Sequence, residues 1–241
     1  MTSSKSLRAL VTGASSGIGK ATALAFAQAG IHLALVGRSR ERLDSVVQEA
    51  SAFGVTVKPY EVDLADLAHV KEKIEAIVVD FGPVDLLVNN AGMGYTGELL
   101  TTSLADWQQA LNLNLTSVFL CIQAVLPSMR QRGQGTILNI ASVAGYQAFP
   151  GWGAYNVSKA GLVSLSKTLA AEERAHGIRV SIISPGAVNT AIWDTDTVQA
   201  DFDRSKMMTP ETVAQTILYA ALLPPGAVIE ELMLLPSAGT L

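Results

Sequence analysis

Short runs of aliphatic and β-branched residues alternate along this chain with longer stretches in which apolar residues recur at helical spacing. The runs predict strands over 7–11, 31–36, 55–60, 84–88, 136–140, 178–183 and 228–235. The stretches between them predict helices over 17–29, 40–53, 67–81, 104–132, 152–176 and 210–223. Gly30, Gly54, Gly82-Pro83, Gly133 and Gly177 follow helical stretches, where C-terminal glycines are common. Strands apolar on both faces and alternating with helices predict a parallel sheet covered on both sides. There is no long linker, compositional break or repeat, so the expectation is one α/β domain over 1–241. It would be a doubly wound, seven-stranded parallel sheet of the Rossmann type. The stretch 186–208 breaks the rhythm, with no clear strand and with Asp194, Asp196, Asp201 and Asp203. A structureless insertion of that length predicts a substrate lid over about 187–208; a solvated surface excursion is the alternative.

Composition narrows the class without changing this picture. With 49% hydrophobic and 16% charged residues the chain is ordinarily globular, and at 241 residues it can bury a large core without staples. A net charge of −4 and a pI near 5.4 argue against a general nucleic-acid binder. The one cysteine, Cys121, lies in the apolar run 117–122. It reads as an inert core thiol, excludes a disulfide framework and fits a reducing cytoplasm. Residues 1–6 are polar and lead straight into a strand, so no secretory signal is expected. The most apolar helical stretch, 110–129, is interrupted by Asn112, Asn114, Gln123 and Pro127. No membrane crossing is expected from it, since a crossing needs about 20 uninterrupted apolar residues. His32, His69 and His176 lack metal-ligand spacing, and no metal site is expected.

Chemistry enters first at Thr12-Gly13-Ala14-Ser15-Ser16-Gly17-Ile18-Gly19, between the first strand and the first helix. Gly13 permits a tight turn, and Gly17 and Gly19 permit close approach to a pyrophosphate. The helix start offers free N–H groups and about half a positive charge. The strand-before, helix-after context is satisfied, which a lone glycine pattern would lack. The second strand ends in Gly37-Arg38-Ser39, where an NAD-preferring site would carry a carboxylate for the ribose hydroxyl. Arg38 and Ser39 suit a 2′-phosphate instead, which points to NADP(H). Asp63, with Leu64 beside it, follows the third strand and is able to accept from an adenine amino group; a helix N-terminal carboxylate is the alternative.

Tyr155 and Lys159 are four apart in a helical segment, so they leave the same face. A phenol of pKa near 10 is a poor acid–base at neutral pH, and an ammonium one turn away favours the phenolate. Ser142 ends the fifth strand and is able to hydrogen-bond a carbonyl oxygen while Tyr155 delivers a proton.

Together these residues resemble the short-chain dehydrogenase/reductase family over essentially the whole chain. The loop 12–19 is similar to that family's cofactor loop, and Asn89-Asn90-Ala91-Gly92 to its motif after the fourth strand. Asn114 matches the helix asparagine that completes its catalytic tetrad with Ser142, Tyr155 and Lys159. Pro185-Gly186-Ala187-Val188-Asn189-Thr190 matches the segment in which the Val188 backbone and Thr190 hold the nicotinamide carboxamide. The resemblance implies that Tyr155 is the acid–base and that Ser142 orients the substrate. It implies that Lys159 binds the nicotinamide ribose and lowers the tyrosine pKa, and that Asn114 supports a proton-relaying water. It also implies a homodimer or homotetramer built on the helices 104–129 and 152–176. The tail 228–236 departs from the paired-glycine ending of the ketoacyl reductases. It is more similar to the hydroxy-acid and serine dehydrogenase branch.

The expected function is hydride transfer between NADPH and a ketone or aldehyde, or the reverse alcohol oxidation. The pocket segments 93–97, 143–152 and 187–193 carry Tyr95, Val143, Tyr146, Phe149, Trp152, Ile192 and Trp193, and no Lys or Arg. An apolar carbonyl substrate follows, with Arg204 or Lys206 the nearest counter-ions for an acid should the lid close. A 3-hydroxy acid or 3-oxoacyl thioester is the alternative substrate, and a noncatalytic NADPH sensor the alternative from another class. The loop 13–17 also satisfies Gly-x-Ser-x-Gly, but no acid–histidine pair follows it in hydrolase order.

Overall fold

In the computed structural model, which describes residues 6–239, the seven apolar runs form one sheet. Its strands are β1 (Arg8–Thr12), β2 (His32–Gly37), β3 (Val57–Glu61), β4 (Leu86–Asn89), β5 (Gly135–Ile140), β6 (Ile178–Pro185) and β7 (Glu231–Leu234). Their order is β3-β2-β1-β4-β5-β6-β7, and every pairing is parallel. The chain builds outward from β1 to β3, then returns to place β4 on the other side of β1. The carboxyl ends of β1 and β4 therefore form the switch point at which open α/β sheets bind ligands.

Helices α1 (Gly17–Gln28), α2 (Arg40–Ser51), α3 (Leu67–Phe81), α4 (Leu104–Leu111), α5 (Ser117–Arg132), α6 (Gly153–Glu173) and α7 (Pro210–Ala221) cover both faces. Alternation along β1 shows how. Leu10 joins the core under α3, α5 and α6, while Ala9 and Val11 join the core under α1, α2 and α7. Serine and threonine caps start several helices by accepting a backbone N–H: Ser39 from Arg42, Ser103 from Asp106 and Thr209 from Thr212.

Two boundaries differ from expectation. The stretch 104–132 is not one regular helix, because a π-helical turn, Asn112–Thr116, separates α4 from α5. By length and composition 104–132 is apolar enough to cross a membrane despite its interruptions. Its Val118, Cys121, Ile122, Val125 and Met129 lie in the core against the sheet. The last strand is Glu231–Leu234 rather than 228–235, since it pairs on one side only, along the end of β6. Within 186–208, two short 3₁₀ turns occur, Ala191–Asp194 and Arg204–Lys206, and Val188 bridges Met208.

Candidate active site

The glycine loop leaves β1 at the switch point and is stapled to the end of β4. Thr12 Oγ1 accepts from Asn90 N (3.0 Å) and Ala91 N (3.1 Å), while Asn90 Nδ2 donates to Thr12 O (3.0 Å). Gly13, at φ +65°, has no room for a Cβ, which would meet Ala91 Cα and Asn90 Nδ2 at 2.9 Å. Gly19 has a packing reason beside the one its spacing suggests. A Cβ there would lie 2.1 Å from Gly13 O, so this glycine lets α1 pack on its own entry turn. Gly17 (φ +52°) faces the Thr190 methyl across the cleft.

Ser16 is the N-cap of α1 but its side chain bonds none of the first-turn amides. Those N–H groups, including that of Ile18, stay free for an anion. At the end of β2, Arg38 is exposed and forms no ion pair among the described residues, and Ser15 Oγ lies close to Gly37. A positively charged, uncommitted guanidinium beside a hydroxyl and a glycine suits a phosphate-bearing ribose. Ser39 is different: its hydroxyl already caps α2 at 3.3 Å from Arg42 N. Asp63 is exposed and accepts from Ala65 N in the turn before α3, while the cap position belongs to Asp66, which pairs with His69. Leu64 is buried in the core beside it.

Beyond the cleft, Ser142 at the end of β5 faces α6. Its Oγ accepts from Ala144 N and it hydrogen-bonds Tyr155, which holds the phenol's pKa down against a larger rise caused by burial. The expected effect of Lys159 on the tyrosine is not what dominates. Lys159 is buried, and burial pushes its ammonium down to about 8. Its Nζ donates to Ile140 O at 2.9 Å and stands 5.8 Å from the Tyr155 ring centre. Asn114 lies on the π-helical turn, fully buried. Its Nδ2 donates to Met93 O and Ser158 Oγ (3.0 Å each), and its Oδ1 accepts from Met93 N (2.8 Å). That Oδ1 accepts no second bond among the described residues, and it borders the same small space beside Gly92 as Lys159 Nζ.

The pocket expected from sequence is assembled in part. Tyr155, Trp152, Trp193 and Phe202 form a run of edge-to-face contacts, at 5.5, 6.0 and 5.3 Å between successive ring centres. Phe202 escaped the sequence reading, although it is the one aromatic in the acidic half of the lid. Val143 is buried behind Ser142. Tyr95 is tied to Asp106 by its hydroxyl, and Phe149 supplies the carbonyl that receives Trp152 N. Tyr146 does not join the pocket. It is 39% exposed, with Lys167 over its ring and its phenol against Ser184 and Glu231. Neither lid cation faces the tyrosine: Arg204 is bound to Asn189, Thr190 O and Asp194, and Lys206 pairs with Asp203. Pro185 and Gly186 carry the chain from β6 into the 187–208 segment, Gly186 packing against Pro236 and Leu235 of the tail.

The short chain dehydrogenase family pattern matches residues 8–200. The chain is 38% identical over 218 residues to the 3-oxoacyl-[acyl-carrier-protein] reductase FabG of Thermotoga maritima, covering 88% of this chain and 89% of that one. Among solved structures it resembles an alcohol dehydrogenase of the archaeon Thermococcus sibiricus complexed with 5-hydroxy-NADP (TM-score 0.87, 31% identity, 95% and 96% coverage). It also resembles a metagenomic short-chain oxidoreductase in complex with NADP (TM-score 0.84, 31% identity, 96% and 97% coverage). The chain belongs to the short-chain dehydrogenase family, and it is an oxidoreductase of the CH–OH/keto type.

Proposed function

We propose that this protein is an NADPH-dependent carbonyl reductase, able to run in reverse as an NADP-dependent alcohol dehydrogenase. The observation that carries this reading is the meeting of Ser142, Tyr155 and Lys159 with Asn114 and Gly92 at the mouth of the glycine-loop cleft. The loop 13–19, with Asn90, Ala91 and Gly92 opposite, would hold the dinucleotide. Arg38, with Ser15 and Ser39, would take its 2′-phosphate; Asp63 and Leu64 would flank the adenine; Pro185, Gly186, Val188 and Thr190 would hold the nicotinamide. The two NADP complexes among the structural relatives support that cofactor.

Bound NADPH supplies the hydride. Ser142 Oγ holds the substrate oxygen, and Tyr155 Oη gives that oxygen its proton. The partial burial of Tyr155 keeps the phenol protonated at neutral pH, which suits the reductive direction. Lys159 would hold the nicotinamide ribose, and Asn114 Oδ1 would support a water through which the proton is replaced. We infer a lid over about 187–208, closing on the substrate with Trp193, and a homodimer or homotetramer formed through α5 and α6, working in the cytoplasm.

The pocket's aromatic wall favours a neutral, apolar ketone or aldehyde. A second reading, a 3-oxoacyl thioester, is favoured by the activity named for the Thermotoga maritima relative and runs against the resemblance of the tail. The test is turnover of NADPH across neutral ketones and aldehydes, 3-hydroxy acids and 3-oxoacyl thioesters. Oxidation of NADPH with at least one of these is expected. Tight NADPH binding without turnover on any would identify a sensor instead.

A further inference from the structure

Arg204, on the second 3₁₀ turn of the 186–208 segment, is the residue whose bonding that function does not absorb. Its guanidinium reaches three acceptors, each through a different nitrogen: Asn189 Oδ1 at 2.8 Å, Thr190 O at 2.9 Å and Asp194 Oδ1 at 2.6 Å. Two of the three belong to consecutive residues just beyond β6, and the third to the turn Ala191–Asp194 that follows them.

The placement of those acceptors gives the contact a consequence. Asn189 N is fixed to Met208 O at 2.9 Å, and Met208 N to Ala187 O at 3.1 Å. The Trp193 indole donates to Val188 O at 2.7 Å. Between these anchors the Thr190 carbonyl accepts, besides the Arg204 bond, only a long one from Trp193 N at 3.4 Å among the described residues. The Thr190 hydroxyl has only an equally long one from Ile192 N. Its methyl lies 3.1 Å from the place a Gly17 Cβ would take, so this residue borders the glycine loop directly. Arg204 supplies the strong, charge-assisted bond that orients it.

We propose that Arg204 is a positioning residue for the nicotinamide end of the cofactor, acting through Asn189 and Thr190. The inference rests on the dinucleotide reading given above. The ion pair with Asp194 is not the operative part. It is a solvent-facing pair, a type that contributes little. A lysine ammonium is a compact point charge without the guanidinium's fork of donors, so charge alone is not expected to restore all three contacts.

The experiment compares the unaltered protein with Arg204→Gln, Arg204→Lys and Asp194→Asn. Dissociation constants are measured for NADPH, by nicotinamide fluorescence, and for adenosine 2′,5′-bisphosphate, which lacks the nicotinamide half, by calorimetry. Arg204→Gln is expected to weaken NADPH about tenfold, the scale of a lost charged hydrogen bond. It should leave the bisphosphate within about twofold, since that ligand touches only the far end of the cleft. Arg204→Lys should resemble Arg204→Gln, and Asp194→Asn the unaltered protein. Equal weakening of both ligands in Arg204→Gln and Arg204→Lys would mean a general loss of structure and overturn the proposal. Unchanged NADPH binding in both would also overturn it. If the unaltered protein bound neither ligand, the dinucleotide reading itself would fall, and the proposal with it.

Discussion

Lys159 and Tyr155 leave the same face of α6, yet the Lys159 ammonium donates to the Ile140 carbonyl (2.9 Å) and not to the phenol. Burial raises the tyrosine pKa and lowers that of the lysine to about 8. Both shifts disfavour a tyrosinate–ammonium pair in the protein alone. The raised phenol pKa keeps Tyr155 protonated at neutral pH, the form that the proposed reductive direction needs.

Removing the proton donor while keeping the ring should stop catalysis without emptying the site. Tyr155→Phe is expected to lower kcat by at least about 10²–10⁴, the usual worth of general acid catalysis. NADPH affinity should change little, because on the proposed reading the glycine loop would carry most of the cofactor contacts. Steady-state kinetics with a direct binding titration checks this. Turnover above about a tenth of the original would rule out Tyr155 as the acid.

Lys159 should be dispensable for stability and needed for activity. From its ordinary 10.5 its pKa falls to about 8 in the folded protein, so between those values the folded state has shed a proton that the unfolded state keeps. Stability therefore rises with pH through that window, and below about pH 8 the cost of the buried charge, on the order of 3 kcal/mol, is fully present. Lys159→Met removes that cost and orphans the Ile140 carbonyl, a penalty of about 1–3 kcal/mol. Its Tm at pH 7 is expected to equal or exceed that of the unaltered protein while kcat collapses. A Tm lower by more than about 5 °C, roughly 1–2 kcal/mol for a chain of this size, would contradict it.

Cofactor choice should follow the end of β2. Arg38 stands exposed and without an ion-pair partner among the described residues, and a charged hydrogen bond contributes roughly 1.5–3 kcal/mol. The unaltered protein should prefer NADPH over NADH by about tenfold to over a hundredfold in kcat/KM. Gly37→Asp with Arg38→Leu should reverse the preference. Equal use of the two cofactors by the unaltered protein would show that Arg38 does not read the phosphate.

Assembly is testable on its own. Phe119 on α5 and Val157 on α6 are 41% and 46% exposed, apolar side chains on helices whose other faces already cover the sheet. Light scattering at micromolar concentration should give the mass of a dimer or tetramer. Val157→Arg should shift it toward the monomer, because a charge cannot be buried unpaired at a two-fold contact. A monomer mass for the unaltered protein would refute the idea.

The strands and helices are legible in the apolar rhythm because strands buried on both faces need nearly continuous runs, and helices over a sheet need periodic ones. Ser142, Tyr155 and Lys159 are legible because their spacing puts them at a strand end and on one helix face. What is hidden arises from contacts between distant segments. Nothing local to Gly19 shows that it packs on Gly13. Nothing near Tyr146 reveals that Lys167 and Glu231 draw it to the β7 edge. The π-helical turn at Asn114 keeps the same apolar spacing as the helices beside it. The bonds of Arg204 join residues 10 to 15 positions apart within an irregular segment, where periodicity carries no information.

Substrate choice is expected to follow Trp152 and Trp193. Their rings meet edge to face at 6.0 Å, Trp152 touches Tyr155, and Phe202 closes the run. A carbonyl held at Tyr155 would present its substituents to this wall, where aromatic contacts contribute about 0.5–1.5 kcal/mol each beyond the burial of area. A carboxylate there would lose its water without gaining a cation, since Arg204 and Lys206 are already paired within the lid. Neutral aryl or alkyl ketones should therefore exceed 3-hydroxypropionate and serine in kcat/KM, each pair assayed in its favoured direction. Trp152→Ala should lower kcat/KM for an aryl ketone by about tenfold or more, since a truncated aromatic costs several kcal/mol when well packed. The same change should affect a small aliphatic ketone less, because that substrate does not reach the ring. An advantage of the acids over the ketones, or an equal loss on both ketones in Trp152→Ala, would show that the wall shapes the fold of the lid rather than the choice of substrate.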